Sequence, residues 1–208
     1  MSRYIESVCK LCRREQTKLF LKGDKCYTKC VLEKRPTTPG MAKPQRGKPS
    51  AFAIRLREKQ KLKRLISMNE KPFEALVMKA SKAREASGDH LLRSLELRLD
   101  NVVRRMGVAT SLKTARQLVL HGHIKVNGKS VNIPSFACIA GQTISLHPKL
   151  RENVGVKLSL DTAKRLNQRP AFGEWKEEDM SFKLLRQPER AEMSFPVTEQ
   201  LIIEYYSK

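Results

Sequence analysis

Four of the five cysteines fall between residues 9 and 30, in the order Cys9-x2-Cys12-x13-Cys26-x3-Cys30. Two close pairs joined by a short loop can gather four sulfurs around one ion, and thiolates suit tetrahedral zinc. The segment is too short to bury a core of its own, so a metal would supply its folding energy. Leu19, Phe20 and Leu21 are placed to cover such a knot, and Gly23 to turn the chain. Lys10, Arg13, Arg14, Lys22, Lys25 and Lys29 surround the thiols, and basic neighbours are expected to lower their pKa values. The expectation is one structural Zn2+ on Cys9, Cys12, Cys26 and Cys30. An iron–sulfur cluster using the same four thiolates stands as one alternative, and a metal-free or transient site as the other. A closed four-cysteine site leaves no open position for a substrate, so the cluster reads as structural rather than catalytic. Cys138, flanked by apolar residues in IPSFACIAG, reads as a core side chain.

The chain has 208 residues and a formal net charge of +21, which points to a polyanionic partner. The excess is not spread evenly. Residues 1–64 carry 19 Lys/Arg against 5 Asp/Glu, and residues 91–150 carry 9 against 2, while the remaining segments balance. Two separate basic surfaces account for this better than a uniformly solvated one. No apolar run reaches the roughly 18 residues of a membrane span, so no membrane association is expected. The start, MSRYIES, lacks the apolar region of a secretory signal, and a cytoplasmic location with reduced thiols is the expectation.

The elements that must carry these residues follow from caps, periodicity and turn signals. Residues 31–50 are rich in proline and interleaved with Lys34, Arg35, Lys43, Arg46 and Lys48, which predicts an extended basic arm. Ser50 caps a predicted helix over SAFAIRLREKQKLKRLI, and a second is predicted over 71–86. HLLRSLELRLDNVVRRM carries one broad apolar stripe and predicts a single helix ending at Gly107. Thr110 or Ser111 caps a shorter helix, SLKTARQLVLH. In HIKVNGKSVNI, Ile124 and Val126 alternate with polar residues before Asn127-Gly128, a type I′ hairpin signal. QTISLH predicts a further strand, and LIIEYY a docked terminal helix or strand.

The run RLDNVVRRMG, then TARQLVLHGHIKVNG, then IPSF, resembles the RNA-binding module of the ribosomal protein S4 family. REKQKLKRL, GDHLLRSLELRLDNVV and TEQLIIEYYSK are similar to the bacterial members in order and spacing, so the resemblance covers essentially the whole chain. LFLKGDKC followed by KC resembles the family's zinc-binding four-cysteine variant, although Cys26 and Cys30 stand one residue closer than is common there. Where members often read PGQHG, this chain has Pro39-Gly40-Met41-Ala42-Lys43.

The resemblance implies an α+β fold: a mostly helical N-terminal domain with a zinc knot and basic arm, plus an inserted module of two short helices on a small β-sheet. The expected division is 1–45 for knot and arm, 46–90 completed by the tail 185–208 for the helical domain, and 91–184 for the module. The implied function is structural. Members bind a helix junction in the 5′ domain of small-subunit rRNA, nucleate assembly of the subunit body and contribute to translational accuracy, and some repress their own messenger. Implied partners are that rRNA, neighbouring small-subunit proteins (notably the fifth, then the third) and messenger RNA where it enters the subunit. No homo-oligomer is expected.

Expected RNA contacts in the module are Arg104, Arg105, Lys113, Arg116, Gln117, His121, His123, Lys125 and Asn127. In the N-terminal part they are Arg13, Arg14, Lys22, Arg46, Lys48, Arg55, Arg57, Lys59, Lys63 and Arg64. A-form RNA hides its base edges, so phosphates, 2′-hydroxyls and shape would carry recognition. The 6% aromatic content argues against a base-stacking single-strand binder. The same module is appended to RNA-modifying enzymes, but no P-loop, HExxH or nucleophile elbow accompanies it, so no catalytic site is expected. A zinc-dependent DNA-binding regulator is the other rival class.

Overall fold

A computed structural model describes residues 4–41, 48–83, 85–167 and 169–207. Its helices are α1 (Cys9–Glu15), α2 (Lys25–Thr28), α3 (Val31–Lys34), α4 (Ala51–Leu65), α5 (Glu70–Ser81), α6 (Ser87–Glu96), α7 (Leu99–Arg105), α8 (Leu112–Leu120), α9 (Val154–Arg165) and α10 (Glu199–Tyr206). Its strands are β1 (Ile124–Val126), β2 (Lys129–Ser130), β3 (Thr143–Leu146), β4 (Gly173–Lys176) and β5 (Ser181–Leu184). The chain divides into two compact units, one of residues 1–92 with 195–208, the other of residues 93–194. Among the described residues, no helix is long and apolar enough to cross a membrane.

In the first unit the Ser50 hydroxyl accepts the Ala53 N–H at 3.2 Å, which satisfies an orphan donor and starts α4. Helix α10 packs along α4 and against α5. The terminal apolar run is therefore a docked helix, with Ile202 fully buried. A smaller apolar cluster of Val8, Cys12, Leu19 and Leu21 forms around α1. Helix α5 ends at Ser81, about one turn earlier than the 71–86 pattern predicts, and α6 already begins at Ser87.

The α4–α5–α10 assembly is tied by one carboxylate. Glu70 accepts from Lys59 Nζ and Lys63 Nζ, each at 2.7 Å, and from the Tyr206 hydroxyl at 2.6 Å. The Lys59 ammonium also lies 4.3 Å from the Tyr205 ring centroid, a cation–π contact that offsets its burial. Burial works to raise the Glu70 pKa, but the bonds from Lys59, Lys63 and Tyr206 together outweigh it and hold the group at about 2.

In the second unit, the strands among the described residues form an antiparallel sheet in the order β2-β1-β3-β5-β4. One face is apolar and packs on helices. Leu99, Val102 and Val103 of α7, Ala115 and Val119 of α8, and Val156 of α9 meet Ile124, Ile144, Leu146, Phe182 and Leu184 there. Asn127 and Gly128 have φ of 48° and 80°, the two positive values that a type I′ hairpin requires. Gly107, with φ of +93°, ends α7 where an added Cβ would stand 2.5 Å from Ala163 Cβ. Only glycine suits both that conformation and that approach.

The single helix predicted over HLLRSLELRLDNVVRRM is divided. Helix α6 stops at Glu96, and Arg98 is extended, with φ −66° and ψ 138°. The residues between the helices pair instead with the 134–138 segment. Leu97 O accepts from Cys138 N at 2.8 Å, and Leu99 N donates to Phe136 O at 2.8 Å. The apolar stripe survives the break because both helices bury it, so periodicity alone could not reveal the break.

This break positions a buried polar cluster. Arg98 holds Asp100 through two bonds, Nε to Oδ1 at 3.1 Å and an NH2 group to Oδ2 at 2.9 Å. Arg116 of α8 reaches the same Oδ2 at 3.2 Å. Fully buried Glu96 receives Asn101 Nδ2 at 3.0 Å and Ser194 Oγ at 3.1 Å, and pairs with Arg105 at 2.8 Å.

Two outcomes are expected. Asp100→Ala leaves Arg98 and Arg116 without their shared counter-ion and should destabilise the second unit by about 3–5 kcal/mol, measured by urea unfolding. The Glu70 carboxylate titrates lower in the folded chain than in the unfolded chain, so its stabilisation is complete above the ordinary value of 4.5 and is lost as pH falls towards about 2. Thermal unfolding across that window should show a loss that Glu70→Gln flattens.

Candidate nucleic-acid interface

The expected basic side chains separate into two groups once their partners are known. In α4, Arg55 binds Glu204 of α10 at 2.6 Å, and Arg57 and Arg64 both reach Glu15 of α1, Arg57 at 3.3 Å. Lys59 and Lys63 share Glu70. The basic run that reads as a polyanion surface therefore also holds the first unit together. Burial raises the Glu15 pKa against the pull of Arg64, Arg57 and Arg14. Arg13 donates to Thr37 O at 2.8 Å and Arg14 to Pro39 O at 3.4 Å, which ties the start of the proline-rich arm to α1. Lys22 and Lys48 are exposed. Arg46 lies outside the described residues.

The module divides the same way. Arg104 donates to Asn101 Oδ1 at 3.3 Å and to Ser194 Oγ at 3.1 Å, Arg105 to Glu192 O at 2.9 Å, and Arg116 pairs with Asp100. Asn127 is engaged in the hairpin, its amide oxygen accepting Thr143 N–H at 2.9 Å. The other expected contacts face outward. Lys113, Gln117 and His121 follow at four-residue spacing along α8 and its C-cap, all exposed. Ser111 caps the helix by accepting the Thr114 N–H at 3.2 Å. After the turn at Gly122, His123 and Lys125 are half-buried, and the His121 and His123 ring centroids stand 6.0 Å apart. This surface of cations, an amide and imidazoles can bond phosphates and hydroxyls.

Lys176 of β4 and Lys183 of β5, which the expected contacts leave out, are exposed as well. The signal for them was present, since GEWK and SFKL alternate with a period of two, which turns each lysine away from its buried neighbour.

The expected metal centre does not survive. Among the described residues, no group of three or more His, Cys, Asp or Glu side chains is placed to hold a metal ion. Cys9 and Cys12 lie in α1, Cys26 in α2, and Cys30 at the N-cap of α3, all as free thiols. Cys12 packs with Val8, Leu19 and Leu21 as a small apolar side chain, and Cys26 Sγ accepts the Lys22 N–H at 3.3 Å. The electrostatic expectation also reverses. Burial raises the Cys12 and Cys26 pKa values, and neighbouring thiols add to the rise, so the nearby lysines do not govern them. The zinc knot, the zinc-binding variant and the Zn2+ cofactor are thereby corrected, and the iron–sulfur alternative falls with the same ligand set. The fold is a mostly helical N-terminal part and a small-sheet module, without the knot. His121 and His123 likewise gain no third ligand among the described residues. Burial pushes the Cys138 thiol up to about 12, in keeping with its place in the core.

The contrast between engaged and outward cations is testable. Arg116→Ala should lower the urea midpoint of the second unit because it uncovers Asp100. Lys125→Ala should leave that midpoint unchanged, weaken RNA binding across sequences alike, and reduce the salt slope by about one.

Residues 3–96 match the family described as ribosomal protein S4/S9 N-terminal domain, and residues 97–144 match the S4 domain. The chain is 47% identical over 209 residues to the small ribosomal subunit protein uS4 of Thermodesulfovibrio yellowstonii, with the whole of both chains covered. It is 46% identical over 209 residues to uS4 of an Anaeromyxobacter species, and 46% identical over 213 residues to uS4 of Thermus thermophilus, again over the whole of each chain. With both segments matched and full-length identity far above chance, the chain belongs to the bacterial ribosomal protein S4 family.

Proposed function

We propose that this protein is a structural, rRNA-binding component of the small ribosomal subunit, working in the cytoplasm as part of the ribosome. The observation that carries the reading is the end-to-end similarity to proteins named as small ribosomal subunit protein uS4. A non-enzymatic role follows from that family membership. The physical reading agrees: a net charge of +21 suits a partner that is itself a polyanion.

The finer assignments are part of the same proposal. The protein binds a helix junction in the 5′ domain of the rRNA, nucleates assembly of the subunit body and contributes to translational accuracy. Lys113, Gln117, His121, His123 and Lys125 supply contacts from the module, with Lys22 and Lys48 from the first unit. The fifth and third small-subunit proteins and incoming messenger RNA are its further neighbours. Repression of its own messenger would draw on the same surface, since a structured messenger offers the same backbone.

A salt titration tests the reading. If about eight phosphates are neutralised, affinity for the 5′ domain of small-subunit rRNA should fall by roughly 10³–10⁵ between 50 and 200 mM salt. Structured rRNA should outcompete duplex DNA of equal length. A flat salt response, or preference for the DNA, would overturn it.

A further inference from the structure

The sheet of the second unit has an outer face that the α8 surface meets only at His123 and Lys125. Register places Ser130, Lys125, Ser145, Ser181 and Lys176 in a single row across all of its strands. The next row on that face contains Thr143, Lys183 and Glu174. The alternate residues, Ile144, Phe182 and Trp175 among them, point to the core side. Strands stand about 4.8 Å apart, so Lys125 and Lys176, three strands apart, are separated by roughly 14 Å, with the half-buried Ser145 and the buried Ser181 between them.

Two features set this face apart. The arginines of α7 and α8 are engaged with internal partners, whereas among the described residues the side chains of Lys125, Lys176 and Lys183 make no ion pair or hydrogen bond. None of the strand residues on the face is aromatic, since Trp175 and Phe182 pair on the opposite side. A sheet that reads single-stranded RNA does so by stacking bases on aromatic rings. This face cannot do that. It offers lysines to phosphates and the hydroxyls of Ser130, Thr143 and Ser145 to 2′-hydroxyls, the groups shown by the wide, shallow minor groove of A-form RNA.

We propose that the outer face of the sheet is a second RNA-contact surface of the module, and that it takes the backbone of a double-helical segment. The proposal rests on the rRNA-binding reading above. By the two-residue period His123 shares this face next to Lys125, which makes the surface continuous with α8. The exposed turn Glu177-Glu178-Asp179 between β4 and β5 bounds it at the far edge, where like charge repels phosphate.

The test uses the full-length chain and the 5′ domain of small-subunit rRNA. Lys176→Ala with Lys183→Ala, both exposed positions, should weaken binding roughly tenfold and make the salt slope shallower by about two, with the urea midpoint unchanged. Ser145→Ala should narrow the preference for an RNA duplex over a DNA duplex of the same sequence. In the wild-type complex, RNA should protect Lys176 and Lys183 from amine acylation. Wild-type affinity and slope in the double variant, together with unprotected lysines, overturn the outer-face assignment. If Lys113→Ala with Lys125→Ala weakens binding in that case, the rRNA-binding reading still stands. If the wild-type chain shows no salt-dependent rRNA binding, both fail.

Discussion

A carboxylate shared by two cations recurs at three places where helices of this protein are held together. Glu15 is shared by Arg57 and Arg64, Glu70 by Lys59 and Lys63, and Asp100 by Arg98 and Arg116. With 42 basic residues and 21 acidic ones, carboxylates are the scarce partner. A buried acid with one cation still has lone pairs to satisfy, and a second cation meets them while relieving repulsion between neighbouring bases.

That economy explains how the basic residues are divided. Arginines, with their fork of donors, bridge helices at buried carboxylates in α1, α4, α7 and α8. The outward side chains of α8 and its C-cap, Lys113, Gln117 and His121, by contrast include no arginine. A charge cluster in the sequence is therefore not one surface. The run from Arg55 to Arg64 carries enough charge for RNA, yet much of it faces Glu15, Glu70 and Glu204.

The cysteines show the same lesson from the opposite side. Their spacing is that of a metal-ligand set, and the surrounding lysines would stabilise thiolates. Once α1 forms, Cys12 turns into the Val8–Leu19–Leu21 cluster, and desolvation governs its thiol. Spacing along a chain measures reach, while ligation needs several donors aimed at one point.

Local chemistry was legible in the sequence wherever one residue or a short run suffices. Ser50 caps the helix it was expected to cap, Ser111 is the one of the two candidates at 110 and 111 that caps α8, and Asn127-Gly128 takes the two positive φ values of its turn. The total charge, its uneven distribution and the family resemblance needed no coordinates either. Tertiary structure alone decided matters that depend on distant segments. It divided the predicted helix at Leu97–Arg98, because residues 134–138 supply backbone partners that a helix would not use. It also decided which cations face inward, because the carboxylate that claims each one comes from another helix. Hydrogen bonds and ion pairs between remote residues leave no periodic trace in the sequence, whereas caps and turns are completed within a few residues.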